Sequence, residues 1–406
     1  AQLNPHLARA HRIRSEIWFA VALMQTSLGL LFVLFSSGVA TGPKACGKDD
    51  CAGAAYEDSD EVLLLQSHQK LGNAASSNLL APEQELQRIV SKFKRLGYPT
   101  DEFMMKSIEK IGNMTQSEMQ AAHMWGRKGP MQPACVAAKA AAAAYRFGAG
   151  NEGAGGDAAR DDLLEEGYTF VRGFNKSEGT DWDYMGWWEK DGNCIFNFQG
   201  SEDMADFGNN YDSTPIEMWG VKGIHRGLVT ELQPLVSQIN FAAVNKKCTG
   251  SVTVVGHSLG GGLAQIFTLA ANSNANGLDA DFTVDTLYTF GAMSVGEKNE
   301  ANDQAADGCF QGQQYFNGKD VDGGFAVDIV TSAATGGQFL EPIKSSKAVL
   351  FAPDRWDVYE CGHTIPKSAP GSGFELHAIS LYEYNLGCIS SLEYQAILES
   401  SGGHGH

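Results

Sequence analysis

Residues 251–271 read SVTVVGHSLGGGLAQIFTLAA, and this segment carries the strongest indication of the fold class. Its first part, VTVV, is a short β-branched run that suits a buried strand and is too short for a helix. Its last part is rich in Leu, Ala, Gln and Phe, which favours a helix. The turn between them, GHSLG at 256–260, has the pattern G-x-S-x-G. The sequence therefore predicts a strand, a tight turn and a helix in immediate succession.

The serine in this turn, Ser258, is the first candidate for chemistry. In a strand–turn–helix context the pattern predicts a nucleophile held on a strained turn. Glycine is required at 256 and 260 because a Cβ would collide where the strand and the helix nearly touch. The free N–H groups at the helix N-terminus would face an oxyanion forming beside Ser258. The alternative interpretation is an ordinary strand–loop–helix junction, since the pattern alone is a weak signal.

Composition limits the class of protein. The chain has 406 residues with 30 basic and 48 acidic side chains, a net charge of −18. This acidity argues against nucleic-acid binding, which needs a basic face. Eight cysteines occur without C-x-x-C spacing, so either disulfides in an oxidising compartment or free buried thiols are compatible with the sequence. Cys46 and Cys51 are the pair closest in sequence, but the pairing cannot be read from spacing.

A long apolar segment lies near the beginning of the chain. Residues 17–40 carry no charge over 24 positions, and as a helix they would span about 36 Å, enough to cross a bilayer core of about 30 Å. We expect a single-pass membrane anchor here; a cleaved signal peptide is the alternative. Arg9, Arg12 and Arg14 precede it and an acidic stretch follows. The positive-inside rule then predicts that the large C-terminal part lies on the lumenal or external side. Thylakoid, endomembrane and cell surface all fit.

The remaining chain divides by composition into further segments. Strand-like and helix-like patterns alternate from residue 134 onward, which predicts an α/β sheet with helices on both faces. Within it, the Gly-rich acidic stretch 148–166 is expected to be a loop, and the apolar side chains in 202–223 suggest a mobile lid or a packed surface loop. The predicted organisation is a basic segment 1–16, the transmembrane helix 17–40, a linker 41–81, a helical packing region 82–133, the α/β domain 134–390 and a C-terminal tail 391–406.

A serine nucleophile needs a histidine base and a carboxylate to orient it. On an α/β sheet of this kind the chain order is serine, acid, histidine. His377 is the preferred base because it opens a regular element, and His363 is the alternative. For the acid, Asp328 in the apolar frame FAVDIV is favoured over Asp320 and Asp322 in the hydrophilic GKDVDGG.

Two further histidines are expected to be structural. His257 stands beside Ser258, but we expect its ring to point away across the turn. His225 is expected to be a satisfied core histidine.

The motifs taken together resemble the class 3 (fungal-type) lipase family of the α/β-hydrolases. They are IFNFQGS (195–201), GIHRGL (223–228), VTVVGHSLGGGLAQI (252–266), TLYTFGAMSVG (286–296), DIV (328–330) and LHAISLY (376–382). The resemblance implies a nucleophile Ser258, an orienting acid Asp328, a base His377, and an oxyanion hole from Ser201 and the N–H of Leu259. It implies no metal or cofactor. The chain departs from the family at 199–201, where Gln-Gly-Ser stands in place of the usual Arg-Gly-Thr or Arg-Gly-Ser.

The function expected from these observations is that of a membrane-anchored serine lipase. Its substrates would be acyl esters of lipids (acylglycerol, phospholipid or galactolipid), hydrolysed through an acyl-enzyme. One alternative is a lipase-fold structural subunit of a membrane protein complex with little or no catalysis. The second alternative is an esterase that acts on soluble esters.

Overall fold

A computed structural model describes residues 79–98, 100, 106–107, 126–127, 131–145, 151–178, 181–201, 212, 214–273, 278, 280–293, 295, 311–321, 324–328, 330, 347–352, 355–359 and 376–400. The chain divides into two compact units, 1–69 and 70–406, and every described residue lies in the second. Within the described part of the chain, no helix has both the length and the apolar character to cross a bilayer. The predicted segments 1–16 and 17–40 lie outside the described residues.

The centre of the described structure is a mixed β-sheet of nine strands. The strands are β3 (Thr169–Glu178), β4 (Asp181–Lys190), β5 (Asn193–Phe198), β8 (Val252–His257), β9 (Thr286–Phe290), β10 (Gln311–Val321), β11 (Gly324–Val327), β12 (Lys347–Ala352) and β13 (Arg355–Tyr359). Their order in the sheet is β13-β12-β10-β9-β8-β5-β4-β3, with β11 paired to β10. Strands β5, β8, β9, β10 and β12 are parallel, and the pairs at both edges are antiparallel. Two short ladders lie outside this sheet: β1 (Leu79–Leu80) with β2 (Gly126–Arg127), and β6 (Pro215–Met218) with β7 (Val221–His225).

Helices cover both faces of the sheet, as the alternating pattern predicts. In β8, Val254 belongs to one buried cluster and Val255 to the other, because successive side chains of a strand point to opposite faces. Helices α4 (Arg226–Val236) and α6 (Leu259–Asn272) contribute to the first cluster, and α2 (Pro133–Ala143) and α7 (Ile379–Asn385) to the second. A shorter helix, α5 (Phe241–Lys247), precedes β8. This layering is the α/β architecture predicted from the sequence.

The prediction that residues 148–166 form a loop is wrong over most of that stretch. Residues Asn151–Glu165 form helix α3, despite several glycines. Its buried side chains pack into two of the apolar clusters, and Asp162 forms ion pairs with Lys92 and Lys139. Tertiary burial thus outweighs the low helix propensity of glycine, which costs about 1 kcal/mol per residue.

The predicted C-terminal tail also contains structure. Residues Ser391–Glu399 form helix α8, which packs against α1 (Pro82–Arg95) in an apolar cluster that includes Ile89, Phe93 and Ile397. Because α8 and α1 bury each other's apolar faces, helix α1 of the predicted packing region belongs to the same compact unit as the sheet. Over 391–399 the apolar residues follow no amphipathic pattern strong enough to predict helix α8.

Two disulfides lie among the described residues. Cys135 in α2 is bonded to Cys388 just after α7, and Cys194 in β5 is bonded to Cys248. The pair closest in sequence, Cys46 and Cys51, lies outside the described residues. The first bond joins residues 253 positions apart, so it crosslinks the helix layer over one face of the sheet.

Candidate active site

The turn after β8 holds Ser258 in a strained conformation. Its φ is 59° and its ψ is −130°, values that a residue with a Cβ adopts only when the surrounding structure enforces them. A Cβ on Gly256 would lie 2.7 Å from the nitrogen of Gly261. One on Gly260 would lie 2.6 Å from the carbonyl carbon of Gln199. The two glycines are therefore required by close backbone approach, and Ser258 is held at the N-terminus of α6.

The two residues predicted to form an oxyanion hole lie at the ends of β5 and β8. Leu259 is the first residue of α6, where backbone N–H groups lack intrahelical acceptors. Ser201 follows β5, and its buried Oγ has no hydrogen-bond partner among the residues that the structure describes. Between them, Gly200 packs against the turn: a Cβ there would lie 2.8 Å from the Cβ of Ser258. Hydrogen-bond donors from two separate strand ends are thus brought next to the serine.

The predicted base and acid are in direct contact. His377 Nδ1 lies 2.8 Å from Oδ2 and 2.9 Å from Oδ1 of Asp328. Asp328 is fully buried immediately after β11, whereas the His377 side chain is 19 % exposed just before α7. A carboxylate only accepts hydrogen bonds, so Nδ1 carries the proton and Nε2 is left as the basic nitrogen.

Other groups hold Asp328 in place. The hydroxyl of Tyr382 in α7 donates to Oδ2 at 2.6 Å, and the backbone N–H of Val330 donates to Oδ1 at 3.0 Å. Burial raises the pKa of Tyr382 well above its usual value, and the neighbouring Asp328 raises it further, so the phenol remains a donor. The spacing between His377 and Tyr382, within the motif LHAISLY, was the available sequence signal for this residue.

Ser258 is connected to this pair through the end of β9. Its backbone N–H donates to the carbonyl oxygen of Phe290 at 3.0 Å. The next residue, Gly291, has φ 54°, and a Cβ there would lie 3.1 Å from His377 Nδ1. One β9 terminus therefore contacts both the strained turn and the His377–Asp328 pair.

The expectation that the His257 ring points away from the site is wrong. Its ring centroid lies 4.5 Å from that of His377. Both of its ring nitrogens are within hydrogen-bond distance of an oxygen, one from Tyr145 and one from the backbone of His377. The expectation that it is a satisfied buried histidine does agree with these contacts. Tyr145, a single large polar side chain after an alanine-rich helix, was missed from the sequence.

The remaining candidates take no part in the described site. His363 and Asp322 lie outside the described residues, and Asp320 lies in β10, paired with Phe325 of β11. Most of the predicted lid, 202–211, also lies outside them, whereas the end of 202–223 forms the β6–β7 hairpin. His225 is buried at the start of α4, and burial lowers its pKa. Among the described residues, no group of three or more His, Cys, Asp or Glu is placed to hold a metal ion.

Comparison with known families gives one match. Residues 195–320 match the family model described as Lipase (class 3). This stretch includes Ser201, Ser258 and Leu259, whereas Asp328 and His377 lie beyond its end. None of the curated proteins with which the sequence was compared matches it.

Several solved lipases are similar in structure at low identity. The lipase from Rhizopus microsporus var. chinensis is 15 % identical with a TM-score of 0.44, covering 65 % of this chain and 87 % of its own. Lipase II from Rhizopus niveus is 16 % identical with a TM-score of 0.44, covering 65 % and 94 %. The Rhizomucor miehei triacylglyceride lipase is 15 % identical with a TM-score of 0.43, covering 65 % and 94 %. Over residues 195–320, the part of the chain that holds Ser201, Ser258 and Leu259, the sequence is similar to the class 3 lipase family.

Proposed function

We propose that this protein is a serine lipase that hydrolyses acyl esters of lipids through an acyl-enzyme, with Ser258, His377 and Asp328 as its catalytic triad. The observation that carries the proposal is the pair of hydrogen-bond distances, 2.8 and 2.9 Å, between His377 Nδ1 and the Asp328 carboxylate. This contact leaves Nε2 unprotonated in the same compact site as a strained serine. A serine, an imidazole and a buried carboxylate are together the components that acyl transfer requires.

In the acylation step, Ser258 Oγ attacks the ester carbonyl carbon while His377 Nε2 takes the hydroxyl proton. The carbonyl oxygen becomes an oxyanion, which accepts hydrogen bonds from the Leu259 N–H and from Ser201. Collapse of the tetrahedral intermediate breaks the ester C–O bond. The alkoxide leaves as an alcohol with the proton from His377, and the acyl group stays on Ser258. Asp328 keeps the ring oriented and stabilises its positive charge.

In the deacylation step, a water molecule takes the place of the alcohol. His377 Nε2 removes one proton from the water as its oxygen attacks the acyl-enzyme carbonyl. The second tetrahedral intermediate uses the same oxyanion donors. It collapses to a carboxylic acid, and the proton returns to Ser258 Oγ. The pKa of the buried phenol of Tyr382 lies far above neutral, so it donates to Asp328 without giving up its own proton in either step.

A lipid substrate and a membrane location are supported by the sequence outside the described residues. The uncharged segment 17–40 would anchor the chain beside its substrate, and the basic residues before it support a lumenal or external location of the domain. The two disulfides agree with an oxidising compartment. The acyl esters proposed are therefore those of acylglycerols, phospholipids or galactolipids at a membrane surface.

The test is labelling and turnover with the full chain. A fluorophosphonate probe should modify Ser258, and Ser258→Ala should abolish both labelling and acyl release from a lipid panel, a loss of about 10⁶ in kcat. Ser237→Ala is the matched control, because Ser237 is exposed and its hydroxyl donates to the Pro234 carbonyl within its own helix end. The Ser237→Ala variant should be labelled by the fluorophosphonate probe and should release acyl chains at the wild-type rate.

The alternatives give different results in the same experiment. A structural subunit would leave Ser258 unlabelled and release no acyl chain from any lipid. An esterase for soluble esters would be labelled, but would prefer dissolved short-chain esters and show no increase in rate at a lipid interface. Either result would contradict the proposed lipase activity.

A further inference from the structure

Two buried side chains outside the triad, Tyr145 and His257, connect the loop after β5 to the backbone of His377. The His257 ring is only 1 % exposed and lies between Tyr145 and the backbone of His377. Its Nε2 lies 2.6 Å from the His377 carbonyl oxygen, and its Nδ1 lies 2.7 Å from the Tyr145 hydroxyl. Because a carbonyl oxygen can only accept, Nε2 carries the proton. In the neutral ring Nδ1 is then an acceptor, and the Tyr145 hydroxyl donates to it.

The other end of this connection is the loop that follows β5. The Tyr145 hydroxyl accepts a hydrogen bond from the Gly200 backbone N–H at 3.1 Å. Gly200 immediately precedes Ser201, and a Cβ on Gly200 would lie 2.7 Å from the His257 carbonyl oxygen. The hydrogen bonds therefore run in one direction, from Gly200 through Tyr145 and His257 to the backbone of His377.

We propose that Tyr145 and His257 are positioning residues that fix the distance between the oxyanion loop at Ser201 and the base His377, on either side of the nucleophile. This inference rests on the proposed serine hydrolase mechanism. Neither side chain needs to touch the reacting atoms. Each holds a backbone group next to a residue that does, and Tyr145 itself is fully buried.

The electrostatics of the site agree with this role. Burial lowers the pKa of His257 well below its usual range, and the neighbouring His377 lowers it further. The ring therefore stays neutral at the pH where His377 works, and it keeps one donor and one acceptor. A charged ring would lose the acceptor for Tyr145 and would repel the imidazolium that His377 becomes during catalysis. A neutral His257 avoids both effects.

The test compares single and double variants of the full chain. Tyr145→Phe removes only the hydroxyl, and His257→Leu removes both ring nitrogens. We expect each to lower kcat about tenfold with KM changed less than about twofold. This lies between the loss of one neutral hydrogen bond and the 10²–10³-fold loss of an oxyanion donor. The rate of fluorophosphonate labelling of Ser258 should fall by a similar factor.

Three further variants separate positioning from stability. Tyr98→Phe is the matched control, because it also loses a phenol hydrogen bond, to Asp157 at 3.1 Å, but far along the chain from the site residues. It should keep the wild-type kcat and labelling rate. The double variant Tyr145→Phe/His257→Leu should have a kcat within about twofold of that of either single variant. The two effects should not multiply, because both residues belong to one chain of hydrogen bonds. The side chain of His257→Gln can still donate a hydrogen bond to the His377 carbonyl, so this variant should keep a higher kcat than His257→Leu. It replaces His257→Leu in the comparison if that variant does not fold.

The outcomes are distinguishable. If Tyr145→Phe keeps the wild-type kcat and labelling rate, or if the two single effects multiply in the double variant, the positioning role is wrong and the proposed hydrolase mechanism stands. If the wild-type chain itself is not labelled at Ser258, the proposed function fails, and this inference fails with it.

Discussion

Glu383→Gln should make the protein more resistant to unfolding as the pH rises. Glu383 is fully buried in α7, and its Oε1 lies 3.1 Å from Lys139 Nζ, close enough for an ion pair but outside hydrogen-bonding geometry. Burial raises the pKa of this carboxyl to about 7, against the lowering effect of Lys139. Below about pH 7 the folded protein therefore favours the neutral form of Glu383, and glutamine imitates that neutral form at every pH.

The magnitude follows from the pKa difference between the folded and unfolded states. A carboxyl with a raised folded pKa stabilises the fold fully below its unfolded pKa, and that contribution is lost as the pH rises through the folded value. With a rise from 4.5 to about 7 and about 1.4 kcal/mol per pKa unit, the wild type should lose about 2–3 kcal/mol relative to Glu383→Gln between pH 5 and pH 8. At pH 5 the difference between the two should be below about 1 kcal/mol.

The assay is urea unfolding of both proteins at pH 5, 6, 7 and 8, followed by tryptophan fluorescence. Glu165→Gln is the matched control, because the Glu165 side chain is 61 % exposed and its ion pair is with Arg95, which is itself exposed; its curves should follow those of the wild type within about 0.5 kcal/mol. Parallel wild-type and Glu383→Gln stability profiles across this pH range would show that the pKa of Glu383 is not raised by folding. So would a Glu383→Gln variant that is less stable than the wild type at pH 8.

Three other substitutions test the site and the fold. Asp328→Asn should lower kcat about 10⁴-fold with unchanged circular dichroism, because His377 loses the carboxylate that fixes its tautomer; near-wild-type turnover of an ester substrate would contradict the assigned acid. Ser258→Gly should raise the free energy of unfolding by about 1 kcal/mol while abolishing activity, since it relieves a positive φ of 59°; a fall in the urea midpoint would be the contrary result. Replacing Cys135 and Cys388 together by Ala should cost about 2–5 kcal/mol in urea unfolding, and a midpoint equal to that of the wild type under oxidising conditions would show that the crosslink does not stabilise the fold.

The local elements could largely be predicted from the sequence. The β-branched run before Ser258 and the alanine- and leucine-rich run after it predict β8 and α6, and the turn Asp191-Gly192 correctly separates β4 from β5. These predictions succeed because propensity and turn chemistry act within a few residues. Helix α3 (Asn151–Glu165) could not be predicted in this way. Its glycines favour a loop, whereas contacts with residues distant in the sequence, such as Lys92 with Asp162 at 2.5 Å, stabilise the helix.

The amino-acid pattern alone is enough to name the chemical groups available to this protein: one serine on a glycine-flanked turn, and a short set of histidines and aspartates that could act with it. Folding in three dimensions is needed to bring His377 to Asp328, to bring the Tyr382 hydroxyl to the acid, and to turn His257 toward the base. These contacts join residues 49 to 120 positions apart. No local preference of the backbone encodes such distances. They arise when the sheet buries its two faces and brings the ends of its parallel strands to one edge, where the strand ends, loops and helix that carry these side chains meet.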